Sequence, residues 1–332
     1  MLKYHQVKQM INVRYPFMET RRLSFYLATE EYLAINFPPE EYFFLWQVKP
    51  TVIFGRNQLI ENEVNLDYVK NNGIEFYRRK SGGGCVYSDF SNIMLSFISP
   101  SFNKSFVFDT YLGKVVALLK GLGLDAEFSG RNDILVDGMK VSGNAFYKIR
   151  DRSIVHGTML FDTNLEEMVR AITPDNEKLL TKGIASVKNR VTNLKDHLSI
   201  DIEAFKNYLE KSLCDRKLFL EHSEVKKIEA IEKSYLDPDF IYGKNPDYTI
   251  IKKKKVDAGL IEVSFVIKNQ IVKKVNVLGD YFLIGDLDLI TKPLLNQPFK
   301  KAAFAATLKN VSLEECIYKL TLTDFLEIVF EA

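Results

Sequence analysis

Residues 131–143 read RNDILVDGMKVSG. Asp137-Gly138 lies between two apolar runs, a pattern typical of a β-hairpin with a two-residue turn. Strand alternation then predicts that Lys140 and Ser142 share one face of the second strand, while their apolar neighbours share the other. A lysine flanked by core residues and followed by Gly143 is well placed to meet a ligand, although an edge-strand lysine facing water fits the same spacing.

A glycine triplet lies upstream, in the segment RRKSGGGCVY at residues 78–87. Glycines weaken a strand, so three in succession need a reason. Backbone without Cβ lets a ligand approach closely and leaves N–H groups available to an anion. Arg78 and Arg79 add fixed positive charge suited to carboxylate or phosphate. A flexible hairpin with solvated arginines is the alternative, and the Gly-Lys-Ser/Thr ending of a Walker loop is absent.

A third motif reads VHGTMLF at residues 155–161. Alternation in a strand places His156 and Thr158 on one face, with Gly157 opening space on the other. A histidine in a strand is often a hydrogen-bonded structural residue, and a ligand contact is the alternative. No Cys, His or carboxylate lies beside it at the spacing of metal ligands, which argues against a transition-metal site.

Helix and strand signals are mixed along the chain without strict βαβ alternation, which indicates an α+β fold. Proline, glycine and capping residues mark the expected ends of the elements. The predicted elements are a helix over Thr20–Asn36 ended by Pro38-Pro39, strands over Tyr42–Trp46 and Thr51–Phe54, a helix over Leu66–Asn72 ended by Gly73, a helix capped by Asp109, and a short helix with a Thr163/Glu166 capping box that Pro174 terminates.

A change in composition near residue 246 suggests two domains. Residues 236–246 read LDPDFIYGKNP, which is rich in turn formers. Three strand-like segments follow, over Tyr248–Ile251, Leu260–Ile267 and Ile271–Leu278, and then helical segments, one with a capping box at Ser312. We therefore expect one domain over residues 1–246 and a small α+β domain over residues 247–332.

Composition narrows the class of protein. The chain has 332 residues and a formal charge of only +2, so no overall field points to nucleic acid or an anionic membrane. Three cysteines, odd in number and far apart, indicate neither a disulfide framework nor a zinc site. The N-terminal residues lack an apolar signal core, and no run is long enough to span a bilayer. A cytoplasmic monomer is expected.

Together these segments resemble the lipoate–protein ligase A family. The matching text is RRKSGGGCVY at 78–87, RNDILVDGMKVSG at 131–143, VHGTMLF at 155–161 and RVTNL at 190–194, flanked by PTVIFGRN at 50–57 and FIYGKNP at 240–246. Each motif alone is modest, but their common order and spacing are specific, and the likeness covers essentially the whole chain.

The resemblance implies a biotin/lipoate-ligase-like catalytic domain with a mixed sheet, joined to an accessory domain. It implies that ATP and Mg²⁺ serve an enzyme that converts lipoate to lipoyl-AMP and pyrophosphate. The acyl group then passes to a lysine of an acceptor protein, which is a lipoyl domain of the E2 subunit of a 2-oxoacid dehydrogenase or the glycine-cleavage H protein.

The resemblance also assigns roles to residues. Lys140 would bridge the lipoyl carbonyl and the α-phosphate, and Asp133 would orient Lys140 or help to hold Mg²⁺. The remaining substrate and ATP contacts that it implies are Arg79, Ser81, Gly83, Gly84, Val86, Tyr87, Asn92, Ser142, His156, Thr158 and Lys182. Phe146 is a further candidate for the wall of the lipoyl tunnel, and Lys182 belongs to a loop expected to close over the adenylate.

Three alternatives stay open. An octanoyl or lipoyl transferase of the same fold would need an activated cysteine, and Cys85, where the family usually has a small residue, is expected only to pack. A non-catalytic lipoate-binding protein is the second. A biotin ligase fits poorly, because its GRGRxG loop is replaced by RRKSGGG.

Ser88 stands where the family often has histidine, which leaves the preference between lipoate and shorter acids open.

Overall fold

The computed structural model describes residues 10–58, 60–101, 104–129, 132–172, 190–242, 250–268 and 271–331. Its strands are β1 Met10–Arg14, β2 Tyr42–Trp46, β3 Thr51–Phe54, β4 Glu75–Arg78, β5 Val86–Ser88, β6 Asn92–Ser99, β7 Ala126–Phe128, β8 Asp133–Val136, β9 Met139–Ile149, β10 Arg152–Leu160, β11 Cys214–Phe219, β12 Ile250–Val256, β13 Gly259–Lys268 and β14 Ile271–Gly279.

Helices alternate irregularly with these strands. They are α1 Leu23–Asn36, α2 Ile60–Glu63, α3 Leu66–Asn71, α4 Lys104–Gly121, α5 Leu165–Ile172, α6 Ile202–Leu213, α7 His222–Leu236, α8 Pro238–Tyr242, α9 Asp288–Leu294, α10 Lys301–Leu308, α11 Leu313–Cys316 and α12 Leu322–Phe330, with a 3₁₀ turn at Leu194–Asp196. The α+β class predicted from the sequence is confirmed.

An eight-stranded mixed sheet organises the larger part of the chain, in the order β11-β1-β2-β6-β10-β9-β8-β7. β1 runs parallel to β11 and β2, and the other pairs are antiparallel. Residues of α1 and α7 pack on one face, and residues of α4 and α6 pack on the other. The sheet is therefore covered on both sides, and β2, β6, β10 and β9 read as largely apolar strands because little of them meets water.

A second sheet of three strands, in the order β4-β3-β5, carries the glycine triplet between its outer strands. β3 is parallel to β4 and antiparallel to β5. Its own small core includes residues of α3 and α5. This sheet determines where the triplet lies relative to the large sheet.

The C-terminal residues form a third unit with a separate core. β12, β13 and β14 make an antiparallel meander, and helices α9 to α12 pack against it. The first strand had been predicted to end at Ile251, but it continues to Val256 through four lysines. That prediction was wrong because half of this edge strand faces solvent and tolerates lysine. The proposed boundary at residue 246 lies outside the described residues, as does Lys182.

Local turn chemistry accounts for two confirmed predictions. Gly73 ends α3 with a left-handed φ of 64°. Asp137 and Gly138 have φ of 51° and 75°, as a two-residue hairpin turn with both central residues left-handed requires.

Three capping predictions were wrong. Asp109 does not begin a helix, since α4 starts five residues earlier at Lys104. The side chain of Asn164, rather than Thr163, accepts from the N–H groups of Glu166 and Glu167 at 3.1 Å each. Ser312 precedes α11 without a side-chain cap. The Thr163 hydroxyl donates to Asn92 instead, which leaves the cap to Asn164.

Among the described residues, none of the helices combines the length and hydrophobicity that a bilayer crossing requires.

Replacing Asn164 with alanine should lower the free energy of unfolding by about 1 kcal/mol, because two N–H groups of the first turn of α5 lose their acceptor. Urea denaturation followed by circular dichroism measures the change. Asn164→Ser retains an oxygen for the cap and is the control. Equal losses in the two variants would contradict the assignment of the cap.

Candidate functional site

A cavity of about 590 Å³, counted with its open side, lies between the large sheet and the glycine triplet. Its size suits a small organic ligand. The lining residues are Leu27, Trp46, Ile53, Arg79, Gly83, Gly84, Cys85, Val86, Met94, Asn132, Lys140, Gly143, Asn144, Ala145, His156, Gly157 and Thr158. The structure thus brings the three sequence motifs together around one space.

The floor of the cavity follows one row of paired residues across four strands. Trp46 of β2 pairs with Met94 of β6, Met94 pairs with Thr158 of β10, and Thr158 pairs with Gly143 of β9. Three inter-strand steps span about 14 Å. The row changes from apolar at Trp46 to polar near Lys140, so the cavity suits an elongated ligand with an apolar tail and an anionic head.

Lys140 reaches this row because β9 is irregular. The pairing of β8 with β9 shifts between Ile134 and Leu135, which inserts one residue in β9 between Lys140 and Ser142. The Lys140 amine lies 3.0 Å from the position that a Cβ on Gly143 would occupy. The prediction that Lys140 and Ser142 share a face was therefore wrong, since the Lys140 amine lies beside Gly143 whereas Ser142 is buried and accepts a bond from the Asn144 side chain.

Three contacts hold Lys140 in place. Its backbone N–H donates to the Arg190 carbonyl at 2.8 Å, and its carbonyl accepts from the Thr192 N–H at 3.0 Å. Its amine pairs with Asp133 Oδ1 at 2.8 Å, and about a third of the side chain is exposed. The RVTNL segment thus positions the backbone of Lys140, and Asp133 holds the amine while it stays accessible to a ligand.

The glycine triplet forms a tight turn above the cavity. Gly83 has a left-handed φ of 90°. Its N–H donates to the carbonyl of Tyr281 at 2.9 Å, and a Cβ on Gly82 would lie only 2.1 Å from that same oxygen. The C-terminal unit therefore contacts the turn directly, and the absence of side chains at Gly82 and Gly83 makes the contact possible.

Arg79 is buried beneath this turn. Its guanidinium donates to the carbonyls of Gly82 at 2.8 Å and Gly84 at 2.7 Å, and its Nε donates to Ser81 Oγ at 3.0 Å. Burial lowers the pKa of Arg79 to about 10, so it remains charged at neutral pH. Its donors hold the shape of the turn, while its charge faces the cavity.

His156 lies beneath the turn with both ring nitrogens bonded. Its Nε2 is 2.7 Å from Ser81 Oγ, and its Nδ1 is 2.9 Å from Glu30 Oε2. Ser81 and Glu30 are completely buried. Sequence reasoning missed Glu30, because a carboxylate within the first helix carries no local signal of its tertiary partner.

Other predicted residues lie away from the cavity. Tyr87 packs in the core of the small sheet, and Phe146 packs against Phe108 in the main core rather than on the cavity wall. Asn92 accepts a bond from the Thr163 hydroxyl.

Asn132 and Asn144 line the cavity, although neither was predicted from the sequence. The side chain of each donates to the backbone carbonyl of the other, at 3.1 and 3.0 Å.

Cys85 lines the cavity but does not have the properties of a nucleophile. Burial raises the pKa of its thiol well above the usual range, and Glu63 adds to the increase while Arg79 opposes it. The thiol is thus protonated at neutral pH, whereas a reactive cysteine requires a stabilised thiolate.

No group of three or more His, Cys, Asp or Glu side chains suited to a metal ion occurs in the described parts of the chain.

Comparison with known proteins finds a matching family model for each of the two parts of the chain. Residues 23–214 match the model of the lipoyl protein ligase A/B catalytic domain, and residues 245–329 match that of the bacterial lipoate protein ligase C-terminus. The chain is 33% identical over 316 residues to the lipoate-protein ligase LplJ of Bacillus subtilis (strain 168), covering 92% of this chain and 96% of that protein. It therefore belongs to the lipoate–protein ligase family.

Two solved structures share the fold. P. falciparum LipL1 in complex with lipoate superposes with a TM-score of 0.75 at 24% identity, covering 96% of this chain and 97% of that chain. A lipoate-protein ligase A bound with ATP gives a TM-score of 0.59 at 24% identity, covering 71% of this chain and 98% of that chain. At this identity the likeness concerns the fold.

Replacing Gly82 with alanine should destabilise the protein by about 1–3 kcal/mol, since the new methyl group would overlap the Tyr281 carbonyl and force backbone to move. Gly84→Ala is the control, because the nearest atom to its added Cβ is 3.9 Å away. Thermal unfolding measures both variants. Similar midpoints for the two would contradict the close approach at Gly82.

Proposed function

We propose that the protein activates lipoate with ATP to lipoyl-AMP and transfers the lipoyl group to a lysine of an acceptor protein. The observation that carries this proposal is the cross-strand row from Trp46 to Gly143, with the Lys140 amine at its polar end. An eight-carbon acid with an apolar dithiolane matches that gradient. The names of the relatives, which include a lipoate complex and an ATP complex, support the same substrates.

The first half-reaction joins two anions, so positive charge matters more than proton transfer. A lipoate carboxylate oxygen attacks the α-phosphorus of ATP, the P–O bond to the β-phosphate breaks, and pyrophosphate leaves. We infer that Lys140 contacts both the carboxylate and the α-phosphate in this step. The partial exposure of its side chain and its place beside the cavity support this role.

In the second half-reaction, the mixed anhydride formed in the first step is attacked by the acceptor. The neutral amine of the acceptor lysine attacks the acyl carbonyl, and AMP departs with the electrons of the cleaved C–O bond. Lys140 would again stabilise the charge that develops on oxygen. We propose a lipoyl domain of an E2 subunit or a glycine-cleavage H protein as the acceptor, because the family joins lipoate to protein.

Asp133 is the described residue that best fits Mg²⁺. The ion is usually held by one or two carboxylates together with substrate phosphates, and the partly exposed carboxylate of Asp133 lies beside the Lys140 amine, at 2.8 Å from its Oδ1. When bound, the ion would supply charge neutralisation on the phosphates.

We also propose a functional division at residue 246, with catalysis in residues 1–246 and an accessory domain in residues 247–332. The separate core of the C-terminal unit supports this division.

Lys140→Ala should reduce lipoate-dependent ATP–pyrophosphate exchange by about 100- to 1000-fold, because a preorganised cation at the developing charge is removed. Lys148→Ala is the matched control, since this lysine lies on the same strand but is exposed. Retention of exchange in Lys140→Ala, or equal loss in Lys148→Ala, would contradict the proposed role. Lipoate binding without any exchange by the wild type would favour a binding protein.

Cys85→Ser should keep near-normal ligase activity, because the buried thiol is protonated and forms no acyl intermediate. Transfer of lipoyl to an acceptor domain, measured as a mass increase with and without ATP, tests this expectation. Complete loss of transfer in the variant, or ATP-independent transfer from an acyl donor by the wild type, would instead favour an acyltransferase.

A further inference from the structure

A directional chain of hydrogen bonds runs beneath the acyl cavity. Trp46 Nε1–H donates to Ser96 Oγ at 2.9 Å, so the hydroxyl of Ser96 is left to donate to Glu30 Oε1. At the other end, Arg79 Nε–H donates to Ser81 Oγ at 3.0 Å, and the same Oγ lies 2.7 Å from His156 Nε2. Indole and guanidinium N–H groups only donate, so both serine oxygens accept in these bonds and each hydroxyl keeps its own proton for a further bond.

Glu30 receives donors from three sides. Besides Ser96, the Tyr147 hydroxyl donates to Oε2 at 3.1 Å, and His156 Nδ1 lies 2.9 Å from the same oxygen. Burial raises the pKa of Tyr147 well above its ordinary value, with further increases from Tyr235 and Glu30, so the phenol keeps its proton and donates. A completely buried carboxylate that accepts only donated bonds is satisfied as the anion.

The contact with Glu30 defines the tautomer of neutral His156. Nδ1 must carry a proton to bond the Glu30 carboxylate, so in the neutral ring Nε2 is the acceptor and the Ser81 hydroxyl is its donor. Both ring nitrogens are then used within the protein, although His156 lines the cavity. The ring therefore offers its carbon edge and face to a ligand, rather than a hydrogen-bonding nitrogen.

The order serine, histidine and carboxylate is also that of a hydrolytic triad. The burial of Ser81 argues against this activity. Ser81 is completely enclosed and is not among the residues that line the cavity, so its oxygen cannot meet an acyl carbonyl. The group is therefore suited to positioning.

We propose that Glu30 is a positioning residue for lipoate binding. By holding His156 in the Nδ1–H tautomer, it directs Nε2 to Ser81, and Ser81 in turn fixes Arg79 and the glycine turn above the acyl chain. The identity of the acyl ligand rests on the proposed function, but the tautomer and the fixed turn do not. Glu31, the next residue, bonds Tyr235 and Lys80 instead.

Glu30→Gln tests the proposal, with Glu31→Gln as the matched control. An amide at position 30 has one acceptor oxygen and two N–H donors, so it cannot accept from His156, Ser96 and Tyr147 together. We expect the dissociation constant for lipoate, measured by calorimetry without ATP, to rise about 10- to 100-fold in Glu30→Gln, the range found when carboxylates that orient metal-bound histidines are replaced. We expect Glu31→Gln to bind lipoate like the wild type.

Nitrogen-15 NMR of the imidazole rings supplies a readout that a general loss of packing would not move. The chain has four histidines, so His156 can be assigned by comparison with a His156→Gln sample. We expect wild-type His156 as the Nδ1–H tautomer and a changed tautomer in Glu30→Gln. Wild-type His156 protonated at Nε2 would overturn the proposal even if the variant did not fold.

Unchanged tautomer and lipoate affinity in a folded Glu30→Gln variant would overturn it as well. Failure of the proposed function gives a different result, since a wild type with the expected tautomer but no lipoate-dependent ATP–pyrophosphate exchange would contradict the ligase reaction alone.

Discussion

The buried guanidinium of Arg79 is the contact on which the rest of the site depends. It donates to two carbonyl oxygens of the glycine turn and to the Ser81 hydroxyl. Without Arg79, the carbonyl oxygens of Gly82 and Gly84 would lose these donors. The turn, with its left-handed Gly83, would then lose the hydrogen bonds that hold its shape. The turn covers the cavity, so the shape of the ligand site follows from one charged side chain that does not itself reach far into it.

A second constraint places the Lys140 amine. The bulge in β9 moves Lys140 to the face of the sheet that carries Gly143, at the end of the row that begins with Trp46. Arg79 follows β4 of the small sheet and Lys140 lies in β9 of the large sheet, and both side chains line the same cavity. The hydrogen bond from the Gly83 N–H to the Tyr281 carbonyl links the C-terminal unit to the turn above the cavity.

The sequence was informative where local chemistry dominates. Paired left-handed residues at Asp137-Gly138, the glycine triplet and the alternation around His156 all predicted features that the structure contains. It failed where the outcome depends on residues far apart in the chain. The face of Lys140 depends on a bulge that alternation cannot reveal, and the cap of α5 depends on Thr163 bonding Asn92 instead.

Glu30 illustrates the limit most clearly. Its partner His156 lies 126 positions away, and only the packing of α1 on the large sheet brings the two side chains together. Arg79 shows a related difficulty. The resemblance implies a phosphate contact for it, but the bonds of its guanidinium to the carbonyls of Gly82 and Gly84 are visible only in the tertiary structure.

A crystal structure with a non-hydrolysable lipoyl-adenylate analogue, in which a sulfamate replaces the phosphate, would show where the acyl chain and Lys140 lie. We expect the dithiolane against Trp46 and Met94, the acyl chain along the row to Gly143, and the Lys140 amine within hydrogen-bonding distance of the acyl carbonyl and the sulfamate. An analogue bound with its acyl chain outside this row, or with Lys140 still on Asp133 and remote from the carbonyl, would contradict this expectation.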